Sequence, residues 1–125
     1  MRKRAPASRI RVLLVDDHPL VREGIRACLA EQKNVCVVGE AADGVEAIAK
    51  AAALAPDIVL LDISMPRMNG VEVTKILRKK HPAVKILLLT MHENRDYQVE
   101  AAPTGPQGYI LKDTPPQELI RAIEA

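Results

Sequence analysis

The chain has 125 residues, of which 48% are hydrophobic and 27% charged, a composition typical of one soluble globular domain. Its formal net charge of +2 comes from four basic residues within the first nine positions, since the rest of the chain holds 14 basic and 16 acidic residues. No apolar run approaches the roughly 20 residues of a membrane span, so no membrane contact is expected.

The N-terminal residues 1–9 are predicted to form a disordered basic tail, because the positive charge is concentrated there. A nucleic-acid contact by the same residues is the alternative. No apolar segment follows these charges as it would in a secretory signal. Cys28 and Cys36 form no C-x-x-C pair and no metal-ligand spacing, so they are expected to be reduced core thiols of a cytoplasmic protein.

Five short apolar runs alternate with five segments of helical period along the rest of the chain. Strands are predicted at 10–15, 35–38, 58–61, 84–89 and 108–111, and Gly39 is predicted to close the second. Helices are predicted at 20–31, from position 43, after a loop at 65–70, at 93–102 and at 116–125. On the second helix Val45, Ile48 and Ala52 are predicted to share one face.

The order of these elements predicts the fold class. The first, third and fourth strands are continuously apolar, which indicates that helices cover both faces of the sheet. Alternating strands and helices favour a parallel sheet with right-handed crossovers. We therefore predict an α/β fold, a (βα)5 doubly wound parallel five-stranded sheet with strand order 2-1-3-4-5.

Polar residues end most of the predicted strands, on the edge of the sheet where ligands of open α/β folds bind. The residues at these ends are Asp16, Asp17, Gly39, Asp62, Thr90 and Lys112. The first and third strands would be neighbours, ~4.8 Å apart, which brings the three carboxylates into one cluster. Clustered carboxylates need a cation, and oxygen ligands favour Mg²⁺. His18 is expected to be a turn residue before Pro19, without a metal role.

The same residues suit phosphoryl transfer. Asp62 can act as a nucleophile toward phosphorus and form an aspartyl phosphate. The transfer requires neutralisation of the three equatorial oxygens of the phosphoryl group. A metal ion, the ammonium group of Lys112 and the hydroxyl of Thr90 provide one interaction for each of them.

Four motifs occur in order along the chain: VDDHPLVREG, DIVLLDISMPRMNG, ILLLT and GYILKD. Together they resemble the receiver domain of response regulators, with a flavodoxin-like, CheY-like fold, over residues 10–125. The DDHPLVR opening and the GYILKD close are most similar to the NarL/FixJ branch, whose members usually carry a C-terminal helix-turn-helix.

The resemblance implies a phosphoacceptor signalling domain of a two-component system, which assists its own phosphorylation and dephosphorylation and is not a classical enzyme. A sensor histidine kinase would supply the phosphoryl group to Asp62. The implied ligands of Mg²⁺ are Asp16, Asp17, Asp62 and the backbone carbonyl of Ser64. Thr90 and Lys112 would respond to the phosphate.

Other roles follow from the same resemblance. Tyr109 would be the switch aromatic, while Ser64 and His92 would flank the phosphorylation site. Phosphorylation-dependent homodimerisation is implied, as is transcription regulation through a C-terminal DNA-binding domain. The chain ends at Ala125 inside the last predicted helix, so we expect that helix to be truncated and the output domain to be absent from this sequence.

The segment 101–106 departs from the pattern of this branch, in which the fourth helix is expected to end in a sequence like A-L-x-A-G-A. Pro103 lacks an amide hydrogen, and its ring would clash with the carbonyl of Val99 in a helix. Ala102 also replaces the expected leucine. We therefore expect the helix at 93–102 to be short and weakly held, which affects the relay to a partner more than the phosphorylation chemistry.

Three alternative functions stay open. An aspartate-nucleophile phosphatase of the haloacid-dehalogenase type would use D-x-D, whereas Ser64 stands two residues after Asp62. A nucleotide- or flavin-binding module would need a phosphate-cradling loop, and the sequence has no G-x-G-x-x-G or G-K-[ST]. A phosphorylation-independent docking receiver is favoured by Pro103 and disfavoured by the complete set of site residues.

Overall fold

The computed structural model describes residues 9–62, 70–90, 108–111 and 116–124. Strands and helices alternate from residue 10 to residue 90 with few departures from the predicted bounds, and a strand and a helix follow in the last two ranges. The elements are β1 Ile10–Val15, α1 Pro19–Ala30, β2 Val35–Ala41, α2 Gly44–Leu54, β3 Ile58–Asp62, α3 Gly70–Lys80, β4 Lys85–Thr90, β5 Gly108–Leu111 and α4 Pro116–Glu124.

The strands form one five-stranded sheet with the order β2-β1-β3-β4-β5, and every neighbouring pair is parallel. The predicted fold class and strand order are therefore confirmed. Because β1 and β3 are neighbours although α1, β2 and α2 lie between them in sequence, the strand order reverses at their junction. Ligands of doubly wound sheets bind at the carboxyl ends of the strands beside such a reversal.

The central strands contribute alternate residues to two separate cores, one on each face of the sheet. Leu13, Leu61 and Leu88 belong to the core covered by α2 and α3. Leu14 and Leu60 belong to the opposite core, which α1 and α4 cover. These strands are buried on both sides, which explains why they appear in the sequence as continuous apolar runs.

The second strand extends further than predicted, because β2 continues to Ala41, and the prediction that Gly39 closes it is wrong. The pairing with β1 is irregular here, since Val12 lies opposite Val37 while Leu13 lies opposite Gly39. One residue of β2 is thus unpaired, as in a β-bulge. The carboxyl end of β2 at the ligand-binding edge is therefore Ala41.

Gly39 marks a close approach of α2 to the sheet. A Cβ atom at this position would lie 2.5 Å from Cδ1 of Leu54 and 3.5 Å from Cδ1 of Leu13. A larger residue would require the Leu54 side chain to move. The glycine therefore serves helix–strand packing within the strand and does not terminate it.

The α2 helix begins at Gly44, as predicted, and the side chains of Asp43 and Glu46 cap its first turn. Asp43 accepts a hydrogen bond from the amide of Glu46 at 2.8 Å, and the Glu46 carboxylate accepts one from the amide of Ala42 at 2.7 Å. The bond from Ala42 holds the pKa of Glu46 below its ordinary value of 4.5, against a smaller opposing effect of desolvation. These contacts satisfy amides that have no partner inside the helix.

The buried face of α2 differs from the predicted one. Of the three residues predicted to share one face, Val45 is 62% exposed and Ala52 is also exposed, whereas Ile48 packs against the core. The buried residues of this helix are Gly44, Ala47 and Ala51. Alanine occurs on several faces of α2, so the hydrophobic pattern of this helix does not indicate one buried face clearly.

The C-terminal helix follows its prediction, with Leu119 and Ile123 buried against the sheet. Cys28 and Cys36 are free and only partly buried, so the expectation that they are core thiols is met in part. Among the described residues, none of the helices has the length and apolar character needed to cross a bilayer. The predictions for residues 1–8 and for the helix at 93–102, including the effect of Pro103, lie outside the described ranges.

Candidate functional site

Two buried carboxylates lie at the carboxyl ends of the neighbouring strands β1 and β3. Val15 pairs with Leu61, so Asp16 and Asp62 follow at the same level of the sheet. Both are almost fully inaccessible, with exposed fractions of 0% for Asp16 and 1% for Asp62. The amide of Asp16 donates to the carbonyl of Ala41 at 3.1 Å, which fixes the end of β1 against β2.

The cluster contains two further side chains from the connection between β1 and α1, namely Asp17 and His18. Each of the four residues offers one ligand atom, and these atoms all lie within 4.8 Å of one another. Asp17 is 26% exposed, so the cluster opens to solvent on its side. The structure thus places the three predicted carboxylates together.

His18 was not predicted to take part in this cluster, but its Nδ1 atom lies among the carboxylates. Nδ1 is 3.0 Å from Oδ1 of Asp16, 3.1 Å from Oδ1 of Asp17 and 4.0 Å from Oδ2 of Asp62. The amide of His18 also donates to Oδ1 of Asp16 at 2.8 Å. This turn precedes Pro19 at the start of α1 and directs the imidazole inward. His18 lies in the turn before Pro19, as expected, but its ring also contacts the carboxylates, a contact that was not predicted from the sequence.

The donor atoms fit a divalent cation. Carboxylate oxygens are the ligands that hard cations such as Mg²⁺ prefer, and a bound cation would offset the mutual repulsion of the three acids. Oδ1 of Asp17 is buried, and its contact with the imidazole does not have hydrogen-bond geometry. This oxygen is therefore available as a ligand.

Arg22 on α1 connects the segment between β1 and α1 to β2. Its Nη1 atom donates to the backbone carbonyl of Asp16 at 2.6 Å, and its Nε atom contacts Oε1 of Glu40 on β2 at 3.2 Å. Glu40 in turn contacts Nε of Arg26 through its other oxygen at 3.2 Å. The Arg22 guanidinium group thus links α1 to the end of β1 and to β2 next to the carboxylate cluster. No sequence pattern predicted the contact of Arg22 with Asp16, because its acceptor is a backbone carbonyl.

The remaining predicted site residues are described only in part. Thr90 ends β4 and lies opposite Leu111 of β5. Asp62 is paired with Leu89, so the backbone of Thr90 lies at the same edge as the carboxylates. Tyr109 lies in β5. The predicted residues outside the described ranges are Ser64, His92 and Lys112.

Comparison with known proteins gives a consistent result. Residues 12–124 match the family model described as "Response regulator receiver domain". The transcriptional regulatory protein YxjL of Bacillus subtilis is 46% identical over 117 residues, which cover 94% of this chain and 54% of that protein. The nitrate/nitrite response regulator NarL of Escherichia coli K12 is 38% identical over 112 residues, covering 90% and 52%.

Solved structures agree with this assignment. The isolated REC domain of RcsB from Salmonella enterica serovar Typhimurium, determined in the presence of the phosphomimetic BeF3⁻, superimposes with a TM-score of 0.85 at 31% identity and covers 94% of this chain and 87% of that one. The chain spans about half the length of the curated relatives it matches. With its fold, its carboxylate cluster and these relatives taken together, the chain belongs to the response regulator receiver domain family, and its relatives include NarL-type regulators.

Proposed function

We propose that this chain is a phosphorylation-controlled switch, which accepts a phosphoryl group on Asp62 from a sensor histidine kinase in the presence of Mg²⁺. The observation that carries the proposal is the position of Asp62. It is buried at the end of β3, beside the strand-order reversal, and within 4.8 Å of ligand atoms from Asp16 and Asp17. A nucleophilic carboxylate beside a metal-binding pair is the arrangement that phosphoryl transfer to aspartate requires.

In the proposed reaction, a carboxylate oxygen of Asp62 attacks the phosphorus atom of the kinase phosphohistidine. The P–N bond breaks, its electron pair stays on the imidazole nitrogen, and that nitrogen takes up a proton. When bound, Mg²⁺ would supply positive charge that offsets the negative charge of the phosphoryl oxygens. The residues proposed to hold it are Asp16, Asp17, Asp62 and the backbone carbonyl of Ser64.

The proposed response to phosphorylation involves residues further along the same edge. The hydroxyl of Thr90 and the ammonium group of Lys112 are proposed to bind the phosphoryl oxygens, and Tyr109 to change position with them. An added dianion at Asp62 would then favour one of two arrangements of the β4–β5 region. The position of the Thr90 backbone at the carboxylate edge supports this assignment.

The output is proposed to be transcription regulation. YxjL and NarL are named as a transcriptional regulatory protein and a response regulator, and this chain matches about half of each. We propose that DNA binding resides in a further domain of the intact protein, and that phosphorylation promotes homodimerisation. The free cysteines are consistent with a cytoplasmic location.

Intact-mass spectrometry after incubation with acetyl phosphate tests the phosphorylation. We expect one phosphoryl group to be added to the wild type with Mg²⁺, none with EDTA and none on Asp62→Asn. Asp57→Asn is the matched control, because Asp57 lies just before the opposite end of β3 and accepts a hydrogen bond from the amide of Arg11 at 2.9 Å. This variant should still be phosphorylated.

An adduct that persists on Asp62→Asn would contradict the proposed acceptor. Absence of an adduct, together with Mg²⁺ binding and no response to beryllofluoride, would instead favour a docking receiver that acts without phosphorylation. A response to beryllofluoride without an adduct would indicate that the aspartyl phosphate hydrolyses faster than the measurement.

A further inference from the structure

The carboxylate cluster contains a ring nitrogen atom among its carboxylate oxygens. Nδ1 of His18 contacts Oδ1 of both Asp16 and Asp17, at 3.0 and 3.1 Å, and lies 4.0 Å from Oδ2 of Asp62. The imidazole is 57% exposed, so its other ring nitrogen has access to solvent. The proposed function uses the carboxylates and leaves this imidazole without a role.

The distances around Nδ1 agree with those between ligands of one metal ion. Ligand atoms bound at about 2.1 Å in octahedral geometry are about 3.0 Å apart when adjacent and about 4.2 Å apart when opposite. The contacts with Asp16 and Asp17 match adjacent positions, and the contact with Asp62 is close to an opposite one. One ion could therefore bind Nδ1 and an oxygen of each acid with small side-chain adjustments.

We propose that His18 is a ligand of this metal site through Nδ1 and that it extends the selectivity of the site from Mg²⁺ to first-row transition metals. The inference rests on the proposed function, since it assumes that the carboxylate cluster is the metal site of the receiver. Imidazole nitrogen contributes strongly to binding of Co²⁺, Ni²⁺ and Zn²⁺ and weakly to binding of Mg²⁺.

The local structure favours this role. The hydrogen bond from the His18 amide to Asp16 and the fixed φ angle of Pro19 hold the backbone of the turn. His18 occupies the N-cap position of α1 but makes no side-chain capping bond there. Its Nδ1 atom instead forms a hydrogen bond with Oδ1 of Asp16 at 3.0 Å, and a bound metal ion would replace this bond. Metal binding through Nδ1 would therefore not disrupt a helix cap.

Co²⁺ is the probe for the test, because a coordinated imidazole gives hyperfine-shifted ring-proton resonances in the NMR spectrum of the complex. We expect such resonances in the wild type and their loss in His18→Asn, whose asparagine suits an N-cap. In calorimetric titrations this substitution should weaken Co²⁺ binding by about tenfold or more and Mg²⁺ binding by less than about threefold.

The chain has three histidines, which provides matched controls. His81→Asn should retain the shifted resonances, because His81 follows α3 and lies away from the cluster. Asp62→Asn should weaken Co²⁺ binding, because it removes one carboxylate of the cluster. Shifted resonances that persist in His18→Asn, or Co²⁺ binding that is unaffected by Asp62→Asn, would overturn the proposal.

The test separates this inference from the proposed function. Equal losses of Co²⁺ and Mg²⁺ affinity in His18→Asn would indicate a general effect on the loop and would also overturn the selectivity. Mg²⁺-dependent phosphorylation of Asp62 without any imidazole resonance in the Co²⁺ complex would refute only the role of His18. Absence of Mg²⁺-dependent phosphorylation would refute the proposed function by a different measurement.

Discussion

Neutralising Asp62 should stabilise the fold in the absence of divalent cations, although it removes the proposed phosphorylation site. Ligand oxygens of Asp16 and Asp62 lie within 4.8 Å of each other, and both side chains are almost fully buried. Two unit charges at this separation repel by about 3.5 kcal/mol at an effective dielectric constant of 20. The other partners of these carboxylates and the hydrogen bonds lost with the charge reduce the net gain for Asp62→Asn to about 1–2 kcal/mol.

Urea unfolding followed by far-UV circular dichroism measures this effect, since the chain has no tryptophan to report on the transition. The free energy of unfolding in EDTA should be higher for Asp62→Asn than for the wild type. With Mg²⁺ at ten times its dissociation constant, the wild type should gain about 1.4 kcal/mol. The variant should gain much less, so that its advantage shrinks or disappears.

Asp57→Asn provides the control for this prediction. It removes a carboxylate that bonds the amide of Arg11 near the opposite edge of the sheet, so it should lower the free energy of unfolding slightly in both conditions. Its response to Mg²⁺ should equal that of the wild type. A lower stability of Asp62→Asn in EDTA would refute the reasoning, because it would show that the fold compensates the Asp62 charge more than its neighbours repel it.

Two further predictions concern charged groups around the site and at α2. The pKa of Glu46 is lowered in the fold, so its stabilising effect is present above the ordinary value of 4.5 and is lost as the pH falls through the folded value. Glu46→Gln should therefore be less stable than the wild type in urea titrations at pH 7, and the difference should vanish in acid. Arg22→Ala should weaken Mg²⁺ binding about tenfold in calorimetry, because the guanidinium group holds the carbonyl of Asp16, whereas Arg26→Ala should leave the Mg²⁺ affinity nearly unchanged.

The sheet could be predicted because its signals are local. Strands 1 and 5 have the predicted bounds, and several connections have a proline in or beside them, such as Pro19, Pro56 and Pro82. The extension of β2 could not be predicted in the same way. Its bulge depends on pairing with β1, and the role of Gly39 depends on the position of Leu54 in another element. Both are tertiary effects that no local pattern encodes.

The candidate site, like the fold, could be predicted only in part. Asp16, Asp17 and Asp62 could be assigned to one cluster, since the carboxyl ends of parallel strands share an edge and β1 and β3 are neighbours. The positions of His18 and Arg22 could not be assigned, because they depend on side-chain direction after a turn and on contact with a backbone carbonyl. A sequence pattern predicts which residues lie at strand ends. It does not predict which side chains from a following turn or helix contact those residues.

The carboxylates at the two edges of the sheet have different surroundings. This difference supports the proposed position of the functional site at the carboxyl edge. Near the amino end of β3, Asp57 is bound to the amide of Arg11, whose guanidinium group donates to the carbonyl of Ala55 at 2.6 Å. The Asp57 carboxylate thus links the start of β3 to β1 by a hydrogen bond and has a structural role. At the carboxyl edge, the buried acids Asp16 and Asp62 lie beside a third acid, which costs stability unless a cation binds. Binding of a cation would recover the stability that this cluster costs in the free state, and this would be the physical basis for the proposed control by a metal ion and a phosphoryl group.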